Sequence, residues 1–123
     1  MVDSERFRGR NAVITGGGSG FGRATALRLT AEGLDHVFLV ELRPERAEAV
    51  AKEVEALGGR ATPIEADIGT RENCERVIDT VVQADGKIDI LLSNAAVWTD
   101  EPFLEMKRES WDRVLAVILD ASL

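Results

Sequence analysis

Short apolar runs alternate along this chain with longer stretches in which apolar residues recur three and four positions apart. The first run, Ala12-Val13-Ile14 within residues 11–15, predicts a strand, and residues 20–32 after it predict a helix. Residues 36–40, HVFLV, show no polar alternation and suit a strand covered on both faces. The clearest helix spans residues 43–57. There Ala47, Val50, Val54 and Leu57 repeat at helical spacing, Pro44 suits the first turn, and Gly58-Gly59 stops it. Residues 61–66 make a weaker strand, since Pro63 removes a ladder donor and points to a sheet edge. Cys74, Val77, Ile78 and Val81 define one face of a helix over residues 70–84, and residues 88–93, IDILLS, predict a buried fourth strand. After an irregular stretch containing Pro102, a last helix begins near Glu109, with Trp111, Val114, Leu115 and Ile118 on one stripe. Strict alternation of this kind predicts an α/β fold, with a parallel sheet, right-handed crossovers and helices on both faces.

Length and charge narrow the function classes. The chain has 123 residues, enough for one domain with one core, and no internal repeat, low-complexity tract or linker divides it. Apolar residues make up 45% and charged residues 30%, ordinary values for a water-soluble domain. No long uncharged apolar stretch predicts a membrane span, and no apolar h-region follows the charged opening residues, so the cytoplasm is the expected compartment. A net charge of −7 argues against nucleic acid as a partner. Cys74 is the single cysteine, which excludes an internal disulfide and a cysteine-built metal centre.

The candidate chemistry lies where the first strand meets the first helix. Residues 15–22 read TGGGSGFG. A strand, a glycine turn and a helix N-terminus bring unpaired backbone N–H groups and the positive end of a helix dipole to one place, where a dinucleotide pyrophosphate is the natural occupant. Gly16 allows a sharp turn out of the strand, Gly20 lets backbone approach phosphate, and Gly22 lets the helix pack closely; Gly18, Ser19 and Phe21 fill the same loop. Glu41 ends the second strand 19 residues beyond Gly22, where a carboxylate would accept from the adenosine ribose hydroxyls. Asp67-Ile68 follows the third strand and Asn94-Ala95-Ala96 the fourth. In an open α/β sheet, ligands bind outside the carboxyl ends of the strands, and all four segments fall there.

These segments resemble the short-chain dehydrogenase/reductase family. Thr15-Gly16, Gly20 and Gly22 are similar to its Thr-Gly-x-x-x-Gly-x-Gly cofactor motif, Asp67-Ile68 to its adenine-contacting pair, and Asn94-Ala95 to the middle of its Asn-Asn-Ala-Gly segment. Trp111-Asp112-Arg113-Val114 resembles a frequent opening of its following helix. The resemblance implies a Rossmann-like three-layer αβα domain over residues 1–123, with four strands in the order 3-2-1-4, truncated relative to family members of about twice this length. It also implies an NAD(P) cofactor. NAD is favoured over NADP, because Glu41 repels a 2′-phosphate and the positions where NADP-preferring members carry a basic residue hold Ser19 and Leu42; Arg43 is the nearest cation.

The departures from the family bear on turnover. Members use a tyrosine as general acid/base with a lysine four residues later, an upstream serine and an asparagine on the helix after the fourth strand. This chain contains no tyrosine, and Ile118 stands at the asparagine position, with no donor or acceptor to hold a proton-relay water. Ser93 replaces the first asparagine of the family segment and Ala96 its glycine. His36, the only histidine, opens the second strand at the end away from the ligand, which fits a structural or solvent-exposed role. Cys74 fits as a small hydrophobe, and Trp98 and Trp111 as buried aromatics; Glu48 and Lys52 can pair on a solvated helix face. No catalytic residue and no metal ligand is expected.

Two readings of different class follow: the cofactor-binding part of a short-chain oxidoreductase, or a nucleotide-binding module without turnover. A methyltransferase domain shares a glycine loop and a strand-end acid, but Thr15 and Asn94-Ala95 argue against it. The fourth strand is expected to present an open edge, which invites self-association there or through the last helix.

Overall fold

The computed structural model describes residues 5–96 and 101–122. Elements β1 (Asn11–Thr15), α1 (Gly20–Ala31), β2 (His36–Glu41), α2 (Pro44–Ala56), β3 (Arg60–Glu65), α3 (Arg71–Asp85), β4 (Ile90–Leu92) and α4 (Arg108–Ile118) follow one another, with short 3-10 turns at Phe103–Glu105 and Asp120–Ser122. The four strands form one parallel sheet in the order β3-β2-β1-β4, as expected.

The two central strands explain why the apolar runs lack alternation. Successive side chains of β1 point to opposite faces, and both faces are covered. Ala12 and Ile14 of β1, with Val37 and Leu39 of β2, pack beneath α1 and α2 against Ala26, Ala47, Val50 and Val54. Val13, Phe38 and Val40 face the other way, onto Val77 and Val81 of α3 and Val117 of α4. The result is three layers around two cores that share the central strands.

Helix ends follow their sequence signals. Pro44 occupies the first turn of α2. Thr70 caps α3, its hydroxyl accepting the Asn73 N–H at 3.3 Å. Pro63 lies on β3, which is an edge strand, so its missing N–H costs no ladder bond on the open side.

Several expectations need correction. Leu57 lies just past α2 and is exposed, and Ile78 is exposed on α3, where Val77 and Val81 alone are fully buried. The fourth strand is shorter than residues 88–93 and is only half-buried, with Leu91 57% exposed, because it pairs with β1 alone. The face of α4 that packs on the sheet carries Val117; Trp111, Leu115 and Ile118 point outward instead. Residues 111 and 113 lie about 200° apart around a helix, so the face of Arg113 and Val117 is opposite to the Trp111 stripe. Trp111 is therefore an exposed aromatic, not a buried one, and Ile118 is exposed on the same stripe. Trp98 lies outside the described residues. On the outer face of α2, Glu53 pairs with Arg23 of α1, whereas no Glu48–Lys52 pair forms.

A polar network closes the amino ends of the strands. The Asn11 side chain donates to Asp85 Oδ2 at 3.0 Å and to the Lys87 carbonyl at 2.8 Å, and accepts the Asp89 N–H at 2.8 Å. His36 lies 2.9 Å from Asp85 through Nδ1 and 2.7 Å from the Thr62 hydroxyl through Nε2. The histidine is thus a buried structural residue at the end opposite the glycine turn. Burial pushes the Asp85 carboxyl up, but hydrogen bonds from Asn11 and His36 and nearby positive charge outweigh it and hold the group below its usual value. A carboxyl with a lowered folded pKa contributes its stability in full above the unfolded value of about 3.9 and loses it as pH falls. The acid limb of a urea-denaturation series between about pH 2 and pH 6 is expected to be steeper for the natural chain than for Asp85→Asn; equal limbs would contradict this assignment.

Candidate functional site

At the carboxyl ends of the strands a cleft of about 600 Å³ opens between the β1–α1 turn, the end of β2 and the loops after β3 and β4. Gly16, Ser19, Gly20, Phe21, Glu41, Asp67, Ile68, Asn94, Ala95 and Ala96 line it. Gly18 and Gly22 belong to the same turn but do not line the cleft. A slightly larger depression, about 660 Å³, lies at the opposite end beside Leu34, Gly58 and Arg60. It is open and gathers no comparable set of polar groups, so size does not decide between the two.

The turn is built by contacts that only glycine permits. Gly16 has φ +67°, and its N–H donates to the Val40 carbonyl at 2.8 Å, which bends the chain back over β2. A Cβ on Gly22 would overlap the Gly16 carbonyl oxygen and the Asn94 amide, so the start of α1 sits directly on the turn because Gly22 has none. Ser19 is the N-cap of α1 in an extended conformation, and its side chain caps nothing. Among the described residues the N–H groups of Ser19, Gly20 and Phe21 donate to no acceptor, whereas Gly17 donates to Val40 and Gly18 to Glu41. Part of the expected amide cradle is therefore spent within the protein, and the part at the helix start faces the cleft.

Thr15 joins this turn to the fourth strand. Its hydroxyl, almost fully buried, accepts the N–H groups of Asn94 and Ala95 at 3.0 Å each and lies 3.5 Å from the Leu92 carbonyl. The Asn94 side chain then donates to the Gly16 carbonyl at 3.3 Å. The loop after β4 is thereby pinned to the glycine turn from both sides.

Both acids expected at the cleft are already engaged. Glu41 Oε2 accepts the Gly18 N–H at 3.0 Å. A carboxylate offers about four acceptor sites, so this bond orients the group without exhausting it. Asp67 accepts Arg113 Nη1 at 2.7 and 2.9 Å through its two oxygens and the Gly69 N–H at 2.9 Å. The guanidinium and then the Gly69 N–H hold the Asp67 carboxyl below its usual value. Ile68 is buried beneath it in the second core.

Sequence reasoning assigned no role to Arg113, which lines the cleft together with Arg43 and Arg46. A usable signal existed: Arg113 lies one turn before Val117, so a helix that buries Val117 must aim Arg113 at the sheet as well. Phe21 is 84% exposed at the lip of the cleft. Cys74 donates its thiol to the Ile68 carbonyl at 3.3 Å, and burial pushes its pKa up, which makes it a packing residue and not a nucleophile. Among the described residues no group of three His, Cys, Asp or Glu is placed to hold a metal ion, and no helix is long and apolar enough to cross a membrane.

The family model for short chain dehydrogenases matches residues 10–123. The chain belongs to this family. It is 36% identical over 114 residues to the 3-oxoacyl-acyl-carrier-protein reductase FabG of Thermotoga maritima, covering 93% of this chain and 46% of that protein. Against the short-chain dehydrogenase/reductase FrzI of a Cladobotryum species the identity is 33%, with 88% and 42% covered. Among solved structures, a metagenomic short-chain oxidoreductase in complex with NADP superposes with a TM-score of 0.89 at 34% identity, over 94% of this chain and 52% of the other. NAD+-bound xylitol dehydrogenase gives 0.87 at 30%, over 95% and 45%. The chain thus has the Rossmann-like fold of the family and spans about half the length of the relatives it matches.

Within this family chain, Thr15 is the hinge of the site. Thr15→Val keeps the shape but leaves two half-buried N–H groups without their acceptor, an expected cost of about 1–2 kcal/mol. Thermal unfolding should show a clearly lowered Tm for Thr15→Val and a near-natural one for Thr15→Ser; equal Tm values for all three would refute the role.

Proposed function

We propose that this chain is a single NAD-binding domain of a short-chain oxidoreductase, and that in the full-length form the cofactor exchanges a hydride with an alcohol or carbonyl substrate. The observation that carries the reading is the set of unpartnered N–H groups at Ser19, Gly20 and Phe21, opening into a cleft whose opposite wall carries Glu41. Those donors and the α1 dipole would hold the pyrophosphate. Glu41, oriented by Gly18, would accept from the adenosine ribose, and Asn94-Ala95 would border the nicotinamide side. Phe21 would offer apolar surface at the lip. NAD supplies the hydride acceptor; the residues of this chain bind and orient it.

Glu41 is the basis for preferring NAD to NADP. A 2′-phosphate beside its carboxylate would meet like charge, although Arg43 and Arg46 line the same cleft. Catalysis by the 123 residues alone is not proposed, since they contain no tyrosine and Ile118 offers no polar group. The cytoplasm remains the proposed compartment. NADH fluorescence titration of the purified chain should give saturable binding, with NAD displacing NADH at lower concentration than NADP. Addition of alcohols should produce no NADH. Tighter binding of NADP would overturn the cofactor choice, and alcohol-dependent NADH formation the inactivity.

Self-association is proposed at the open edge of β4, where Leu91 is exposed, or at the outward stripe of Trp111, Leu115 and Ile118. Light scattering is expected to report oligomers; a monodisperse monomer would refute it.

A further inference from the structure

The cleft contains an ion pair between Arg113 and Asp67. Arg113 comes from α4, far along the chain, yet its Nη1 reaches both oxygens of Asp67. Two features mark this as a built contact. Gly69 leaves room for the approach: a Cβ there would meet Arg113 Nη1, the tip of a flexible side chain. The same aspartate is fixed from below by the Gly69 N–H, so its carboxylate has one orientation. Both partners are about one-third exposed, at 38% and 37% of their side chains, so they form part of the cleft wall rather than of the core. Buried contacts of α4 with the sheet come from Val117, which leaves the Arg113–Asp67 pair as the polar link between this helix and the cleft.

We infer that Arg113 is a positioning residue of the adenine end of the cleft: by clamping Asp67 it keeps that carboxylate aimed and places a planar cation beside the base. This inference rests on the cofactor reading above. A guanidinium offers a flat face for an aromatic ring and a fork that a lysine lacks, so the position is specific to arginine. The effect is local to one half of the dinucleotide. AMP and NMN each carry a ribose and a phosphate and differ in the base, so they report the two ends separately.

The test is displacement of bound NADH fluorescence by AMP and by NMN, on the whole chain and on Arg113→Ala and Arg113→Lys. Arg113→Ala is expected to weaken AMP about tenfold and leave NMN unchanged, with Arg113→Lys intermediate. Unchanged AMP binding, or an equal loss for AMP and NMN, would make Arg113 a general strut and overturn the inference. Failure of the natural chain to bind NADH would instead overturn the cofactor reading, and this inference with it. A second measurement needs no ligand. By NMR the Asp67 carboxyl should titrate below the usual aspartate range in the natural chain and return toward it in Arg113→Lys and Arg113→Ala. A carboxyl that titrates identically in all three would also overturn the clamp.

Discussion

Thr15 ends the central strand with a hydroxyl that accepts two backbone N–H groups from the loop after β4, and the shape of the cleft depends on that junction. A hydroxyl has two acceptor positions and one donor, so with Leu92 nearby its capacity is filled by one loop. On the other side of the same residue the chain must turn at once, because Gly16 donates back to Val40 and Gly22 brings α1 onto the Gly16 carbonyl. Asn94 closes the loop by donating to that carbonyl. Three chain segments spanning about eighty residues of sequence are thus held at one point by hydrogen bonds of the Thr15 hydroxyl, the Asn94 side chain and the Gly16 N–H. The turn consumes the donors of Gly16, Gly17 and Gly18 and leaves those of Ser19, Gly20 and Phe21.

The central strands were legible because burial on both faces leaves an unmistakable mark. The short, valine-rich run HVFLV suits a strand between two layers, and β1 and β2 occupy that place with every residue from His36 to Val40 buried. The register of the glycine turn against Glu41 and Asn94 could likewise be placed from spacing, since an open parallel sheet gathers the carboxyl ends of its strands on one side. The periphery was less legible. Helical periodicity reports that one face of α4 is apolar, not that the sheet is what covers it. Here the sheet accepts only Val117, and Trp111, Leu115 and Ile118 face outward. Likewise β4 reads as buried because its residues are apolar, yet with a neighbour on one side only it remains half-open.

The charged residues were the hardest to read, for a physical reason. A lone acid at a strand end has the same sequence signature whether it awaits a ligand or is already bound to its own protein. Glu41 and Asp67 turn out to do the second in part: one holds the Gly18 N–H, the other holds Arg113 and Gly69. Spacing puts Arg113 on the Val117 face of its helix but carries no information about the distant partner it meets there. The geometry also changes what these acids are for. An unattached carboxylate at the rim would be mobile and hydrated, and ordering it on binding would cost side-chain entropy. One already held by a main-chain N–H or a guanidinium has lost that freedom before any ligand arrives, and keeps acceptor capacity on its outer side. Preorganisation of this kind ties the exposed rim of the cleft to the rigid sheet beneath it, so the polar wall and the apolar core act as one scaffold.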